Sequence, residues 1–149
     1  MRLGNTLRAL IATAVIVAAA LTPAAADNGK RLVTVVATAE PQTQLMAMVL
    51  TMQAVQQGAK ARILLCGPGG DIALKDAPAS AKTQQKPKGM SPQGLMAKIM
   101  ATGTPVEVCA IYLPNKGLEA TALLDGVGVA KPPAMAAHLL EDDTRLLTF

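Results

Sequence analysis

Three short, largely apolar runs recur at wide intervals: RLVTVVAT at 31–38, ARILLC at 61–66 and VEVC at 106–109. The first two are apolar at nearly every position rather than at alternate ones, the pattern of strands covered on both faces. Such strands belong to parallel sheets, and parallel neighbours need long crossovers, usually helices. The segments between the runs supply them. Pro41–Gln57 places Leu45, Met48, Val49, Met52 and Val55 on one face at spacings of three and four, with Gly58 as the stop. Ser91-Pro92 is an N-cap followed by a proline at the first helical position. It opens a helix that buries Leu95, Met96, Ile99 and Met100 and ends at Gly103. Beyond Cys109 the pattern predicts a short helix over Gly117–Leu124 and a turn with a short extended piece over Asp125–Ala130. A last helix over Pro132–Glu141 turns Met135, Leu139 and Leu140 inward, and Thr144–Phe149 is a terminal strand. The alternation predicts one three-layer α/β/α domain, flavodoxin-like, with a mostly parallel sheet of about five strands.

The first residues stand apart from this pattern. Arg2 and Arg8 precede the apolar run Ala9–Leu21, and Ala24-Ala25-Ala26 is a small-residue cleavage site. This is the form of a secretory signal peptide over residues 1–26, which leaves a single domain over 27–149. It implies a periplasmic protein, not held in the membrane once the leader is cut. No later segment approaches the roughly 20 apolar residues of a membrane-spanning helix. Without Arg2 and Arg8, twelve Lys and Arg face ten Asp and Glu, a net charge of only +2. That balance, with Tyr112 and Phe149 the only aromatics, offers nucleic acid neither a strong field nor a stacking platform.

Candidate chemistry gathers at two strand ends. Cys109 closes the third run and is followed by Tyr112, Pro114, Asn115, Lys116 and Gly117. In open parallel sheets the carboxyl ends of the strands face the ligand crevice. A thiolate there gains from a nearby cation or helix N-terminus, which Lys116 and a helix beginning at Gly117 would provide. A buried, inert thiol explains the same residue. Cys66 closes the second run and meets Gly67-Pro68-Gly69-Gly70-Asp71. This glycine-rich turn resembles an anion cradle through Gly67, Gly69 and Gly70, yet it matches no nucleotide-binding spacing. If the two strands are neighbours, their backbones lie about 4.8 Å apart and a disulfide is geometrically allowed. If a third strand intervenes, about 10 Å separates them and no bond forms. The order of strands is open at this level.

Other candidates are weaker. Met46, Met48 and Met52 carry thioethers suited to Cu(I), but no His or Cys accompanies them, and core packing accounts for Met48 and Met52. His138 is the only histidine, and two cysteines with one distant histidine do not form a zinc set. No metal or other cofactor is expected. Asp71–Lys88 is polar, with Lys75, Lys82, Lys86 and Lys88, and reads as a long crossing loop with a helical turn near Ile72–Lys75.

Several pieces in order carry a family resemblance: Gly103-Thr104-Pro105-Val106-Glu107-Val108-Cys109, Lys116-Gly117-Leu118, Leu124-Asp125-Gly126-Val127 and the closing Thr144–Phe149, TRLLTF. Over nearly all of Arg31–Phe149 the chain resembles the DsrE/DsrF/DsrH-like group, small α/β proteins of sulfur relay and sulfur oxidation. The resemblance implies a flavodoxin-like domain that assembles into oligomers, here a homo-oligomer. It also implies a cysteine that accepts sulfur as a persulfide from a donor protein and passes it to an acceptor. Cys109 matches that position. Many relatives carry a second cysteine three residues later, where this chain has Tyr112. An Arg-Gly pair of the group is Lys116-Gly117 here. Two readings follow. One is a periplasmic persulfide carrier or thiol-redox protein acting through Cys109, with Cys66 as resolving or structural thiol. The other is a non-catalytic binding or assembly module with inert or disulfide-paired cysteines.

Overall fold

A computed structural model describes residues 29–149 of the chain. The signal-peptide reading of residues 1–26 lies outside the described residues. Five strands, β1 (Arg31–Val36), β2 (Lys60–Leu65), β3 (Val106–Val108), β4 (Gly128–Val129) and β5 (Thr144–Thr148), form one sheet in the order β4-β3-β2-β1-β5. Every pairing is parallel. The expected mostly parallel, flavodoxin-like sheet is present.

The crossovers divide between the two faces. Helices α1 (Pro41–Gln56) and α3 (Pro92–Met100) pack on one side. Their Leu45, Met48, Leu95, Met96 and Ile99 meet Val36, Ile63, Leu65, Val106 and Val108 in the main core. Helix α5 (Pro132–Leu139) covers the other side, where Met135 and Ala130 pack with Val33 and Leu64. The strand register sorts these sets. Val36 is opposite Leu65 and Leu65 is opposite Val108, so all three point toward α1 and α3, while their alternate neighbours point toward α5. Burial within β1 is not purely apolar. Thr34 is fully buried, and its hydroxyl lies 2.7 Å from that of Thr51 in α1, which donates onward to the Ala47 carbonyl. A buried hydroxyl left unpaired would cost 1–3 kcal/mol or so.

Local signals worked where chemistry is local. Ser91 caps α3 by accepting from the Gly94 amide. Gly58 and Gly103, with φ of 85° and 86°, leave α1 and α3 in the left-handed region that glycine enters without strain. Glu40 caps α1 through the Thr43 and Gln42 amides, and the Thr43 hydrogen bonds lead in holding its carboxyl below the usual carboxylate range.

Three expectations are corrected. Leu139 and Leu140 do not turn inward: α5 ends at Leu139, and Leu140 is 83 % exposed. Met135 of α5 packs over Val33 of β1 and Leu64 of β2, inside the sheet, and Leu146 on the outer strand β5 is also 53 % exposed. The helical turn expected near Ile72–Lys75 within the Asp71–Lys88 crossing lies earlier: a 3-10 helix spans Gly67–Ala73, and the crossing adds the short helix α2 (Ala79–Lys82) and a tight hairpin that pairs Gln85 with Met90. Finally, Gly117 does not begin a helix. Helix α4 spans Tyr112–Lys116, and Gly117, at φ 63°, is its C-cap.

Candidate functional site

The two cysteines extend a ladder that is already in register. Leu64 is opposite Glu107 and Leu65 is opposite Val108, so Cys66 comes opposite Cys109 one step later. The Cys109 amide donates to the Leu65 carbonyl at 2.8 Å, and the Cys66 amide to the Val36 carbonyl at 2.9 Å. Both side chains leave the sheet on the α5 side, against the cluster of Val33, Leu64, Ala130 and Met135. Their Cα atoms are 5.2 Å apart and the sulfurs are bonded, within the 4.4–6.8 Å usual for a disulfide. The question left open by the strand order is thus answered: β2 and β3 are neighbours. The pair sits at the carboxyl edge as expected, though the strand order reverses between β1 and β5, not at β2 and β3.

Each cysteine is followed by a turn, and a second tie joins the turns. The Tyr112 hydroxyl donates to Asp71 Oδ1 at 2.7 Å, and Lys116 Nζ lies 2.6 Å from the same oxygen. The ammonium also stands 5.7 Å from the centre of the Tyr112 ring. Asp71 belongs to the turn after Cys66, and Tyr112 and Lys116 belong to the helix after Cys109. Disulfide and polar clamp therefore hold the same two segments together at successive levels. Lys116 does not serve Cys109 as a free cation; its charge is committed to Asp71.

The glycines of the turn have a packing reason. A Cβ on Gly69 would lie 2.2 Å from the Val36 carbonyl oxygen, and one on Gly70 would lie 2.4 Å from the Tyr112 ring. Both are buried. They let the turn close down on β1 and Tyr112. Gly67 is exposed at φ 49° and is the conformational glycine of the three.

Tyr112 and Asp71 are the residues that reading by motif underrated. The signal was present: Tyr112 is the only tyrosine in a chain with almost no aromatics, and Asp71 ends the glycine-rich turn. Burial of the ring, and then the hydrogen bond and charge of Asp71, push the Tyr112 phenol well above the ordinary tyrosine range. A raised value in the folded state means that the native protein holds this proton more tightly. Its contribution is complete below about pH 10, where the unfolded phenol begins to ionise, and is lost as pH rises through the folded value. Tyr112→Phe should cost on the order of 1–2 kcal/mol at neutral pH. It should also remove part of the stability loss above pH 10. Paired urea melts of both proteins from pH 7 to 11 measure the difference, and parallel curves would show that the hydroxyl is uncoupled from folding.

The other candidates disperse. Met48 is fully buried in the core, whereas Met46 and Met52 face a surface groove. His138 Nδ1 lies 3.2 Å from Glu141 Oε1, where an Nδ1–H donates to the carboxylate, and Glu141 in turn meets Arg31. Arg62 and Glu107 form an ion pair beside them on the α5 face. Among the described residues no group of three or more His, Cys, Asp and Glu could hold a metal ion, and no helix is long and apolar enough to cross a membrane.

An all-parallel five-stranded sheet with a cysteine pair across two adjoining strand ends defines a flavodoxin-like α/β protein with a thiol-based candidate site. Comparison of the fold with solved structures gives the nearer setting. The chain is similar to the YchN protein of E. coli, with a TM-score of 0.63 and 20% identity over 80% of this chain and 98% of that one. It is also similar to MTH1491 of Methanobacterium thermoautotrophicum, a protein of unknown function, with a TM-score of 0.60 and 13% identity over 80% and 99%. At these identities the likeness is one of fold alone. No family model matches the chain, and no curated protein matches it in sequence.

Proposed function

We propose that this is a periplasmic thiol-redox and sulfur-handling protein that works through the Cys66–Cys109 pair, with Cys109 as the sulfur-carrying residue. The observation that carries the reading is the direct opposition of the two cysteines at the ends of β2 and β3, Cα to Cα 5.2 Å. An oxidised pair there is a store of two oxidising equivalents beside exposed Gly67, Pro68 and Ile111. The leader-like composition of residues 1–26 supports an oxidising compartment, where such a bond persists.

The oxidised pair can load sulfur without a further oxidant. A hydrosulfide anion attacks the Cys109 sulfur with its own electron pair. The new S–S bond forms as the Cys66–Cys109 bond breaks, and the displaced electron pair leaves on Cys66 as a thiolate. Cys109 then carries a persulfide. An acceptor thiolate attacks the outer sulfur, takes it as a new persulfide and leaves Cys109 as a thiolate. The resulting dithiol returns to the disulfide by passing two electrons to a partner's disulfide. Cys66 thus supplies in space the second thiol that Tyr112 displaces in sequence.

Oxidised protein treated with sulfide and then iodoacetamide should show one extra sulfur atom on Cys109 and an alkylated Cys66 by peptide mass spectrometry. The apolar neighbours of the bond, Leu64 and Met135, favour a second reading, a binding module stapled by an inert disulfide. A disulfide unchanged after sulfide treatment would select that second reading and end the first.

A further inference from the structure

The groove between α1, α3 and the Gln85–Met90 hairpin lies on the sheet face opposite the cysteines, and the thiol chemistry does not use it. Its cavity is about 500 Å³. Met46, Val49, Met52 and Met90 make an apolar lining. Met46 is 50 % exposed there although it lies mid-helix, so the groove is an unfilled apolar surface and not a core contact. Three thioethers in one cleft give a lining that reshapes around a flexible chain.

The rim is of one sign. Lys86 and Lys88 on the hairpin and Lys98 on α3 border the cleft, and no Asp or Glu lines it. All three are exposed, and none is engaged in an ion pair among the described residues. The protein beyond the leader carries a net charge of only +2, so three unopposed ammonium groups around one cleft are a local concentration of charge, not a reflection of the whole. The hairpin that presents two of them is held in place by Gln85 N–H to Met90 O at 2.8 Å and Gly89 N–H to Gln85 O at 2.9 Å.

We infer that this groove binds a free, single-chain anionic amphiphile of the fatty-acid class. Its hydrocarbon tail would lie along the methionines and its carboxylate among Lys86, Lys88 and Lys98. The volume lies in the range of small-molecule sites, 300–1,000 Å³ or so, and is too small for a folded partner's helix to be enclosed. The complementarity is double, apolar floor to tail and cationic rim to head group.

Isothermal titration with octanoate, decanoate and dodecanoate tests it on the full protein. Binding should be saturable at one site and tighten by about threefold to fourfold per methylene until the cleft is filled. Decyltrimethylammonium, with the same tail and the opposite charge, should not bind. Replacing all three lysines (Lys86→Gln, Lys88→Gln, Lys98→Gln) should weaken decanoate by on the order of tenfold or more. Met46→Asp should abolish binding with no change in thermal melting, because Met46 is half exposed. The inference is overturned if decanoate does not saturate, if the cationic and anionic chains bind alike, or if the lysine variant binds as tightly as the parent. It is overturned equally if the protein binds only vesicles containing phosphatidylglycerol and no monomeric fatty acid, or if added decanoate only shifts an oligomer equilibrium seen by light scattering.

Discussion

Reduction of the Cys66–Cys109 bond should lower the stability of the folded protein by about 4 kcal/mol. The bond closes a loop with a sequence separation of 43 residues, and the chain-entropy relation for a loop of that size gives about this value. The cost is large against a typical total of 5–15 kcal/mol. For a domain of this size it corresponds to a fall in melting temperature on the order of 15 °C. Guanidinium melts with and without dithiothreitol measure it, and a Cys66→Ser/Cys109→Ser double variant should reproduce the reduced protein under oxidising conditions. A loss below about 1 kcal/mol would mean that the unfolded chain already keeps β2 and β3 together, so the bond constrains little. The outcome also bears on function. A carrier must open this bond in every cycle, and the fold must survive the open state. The Tyr112–Asp71–Lys116 clamp is suited to that task because it joins the same two turns without the sulfurs.

Gly69→Ala should be the most damaging single-methyl change in the turn, at about 3 kcal/mol or more. The added carbon would stand 2.2 Å from the Val36 carbonyl oxygen and 2.6 Å from its carbon. Those are backbone atoms of a central strand and cannot step aside as a side chain would. Overpacking of a closed site ordinarily costs 1–3 kcal/mol or so, and a backbone obstacle takes the upper end or beyond. Gly67→Ala is the control. Nothing crowds it nearer than 4.0 Å, so only its left-handed backbone is strained, at a cost of about 1 kcal/mol. Thermal melts of the two variants side by side decide the matter. Equal losses would show that the turn can lift from β1, and the close packing beneath Cys66 would then not be essential.

Much of the fold is legible in the chain because its signals are local. The unbroken apolar runs of β1 and β2, the three-and-four spacing of α1, the Ser91-Pro92 start of α3 and the glycine stops at Gly58 and Gly103 all act through neighbouring backbone. The errors fall where a residue's environment is decided by something distant. Leu139 and Leu140 have an inward-facing pattern, but α5 ends at Leu139, Leu140 is its C-cap, and both side chains are left exposed. Gly117 stands where a helix was expected to start, yet α4 over Tyr112–Lys116 precedes it and takes Gly117, at φ 63°, as its C-cap. Gly67, Gly69 and Gly70 look alike in sequence, and only the approach of Val36 and Tyr112 separates the crowded pair from the conformational one.

The candidate site divides in the same way. Residue order alone determined that both cysteines end strands, and that each is followed by a turn carrying charge. It could not determine that they meet. Strand order depends on pairings between segments far apart in the chain, and period-two and period-three patterns are silent on which strand lies beside which. The tertiary structure decided it by setting Leu65 opposite Val108. That one register places Cys66 beside Cys109, brings Asp71 to Tyr112, and turns two isolated thiols into a disulfide.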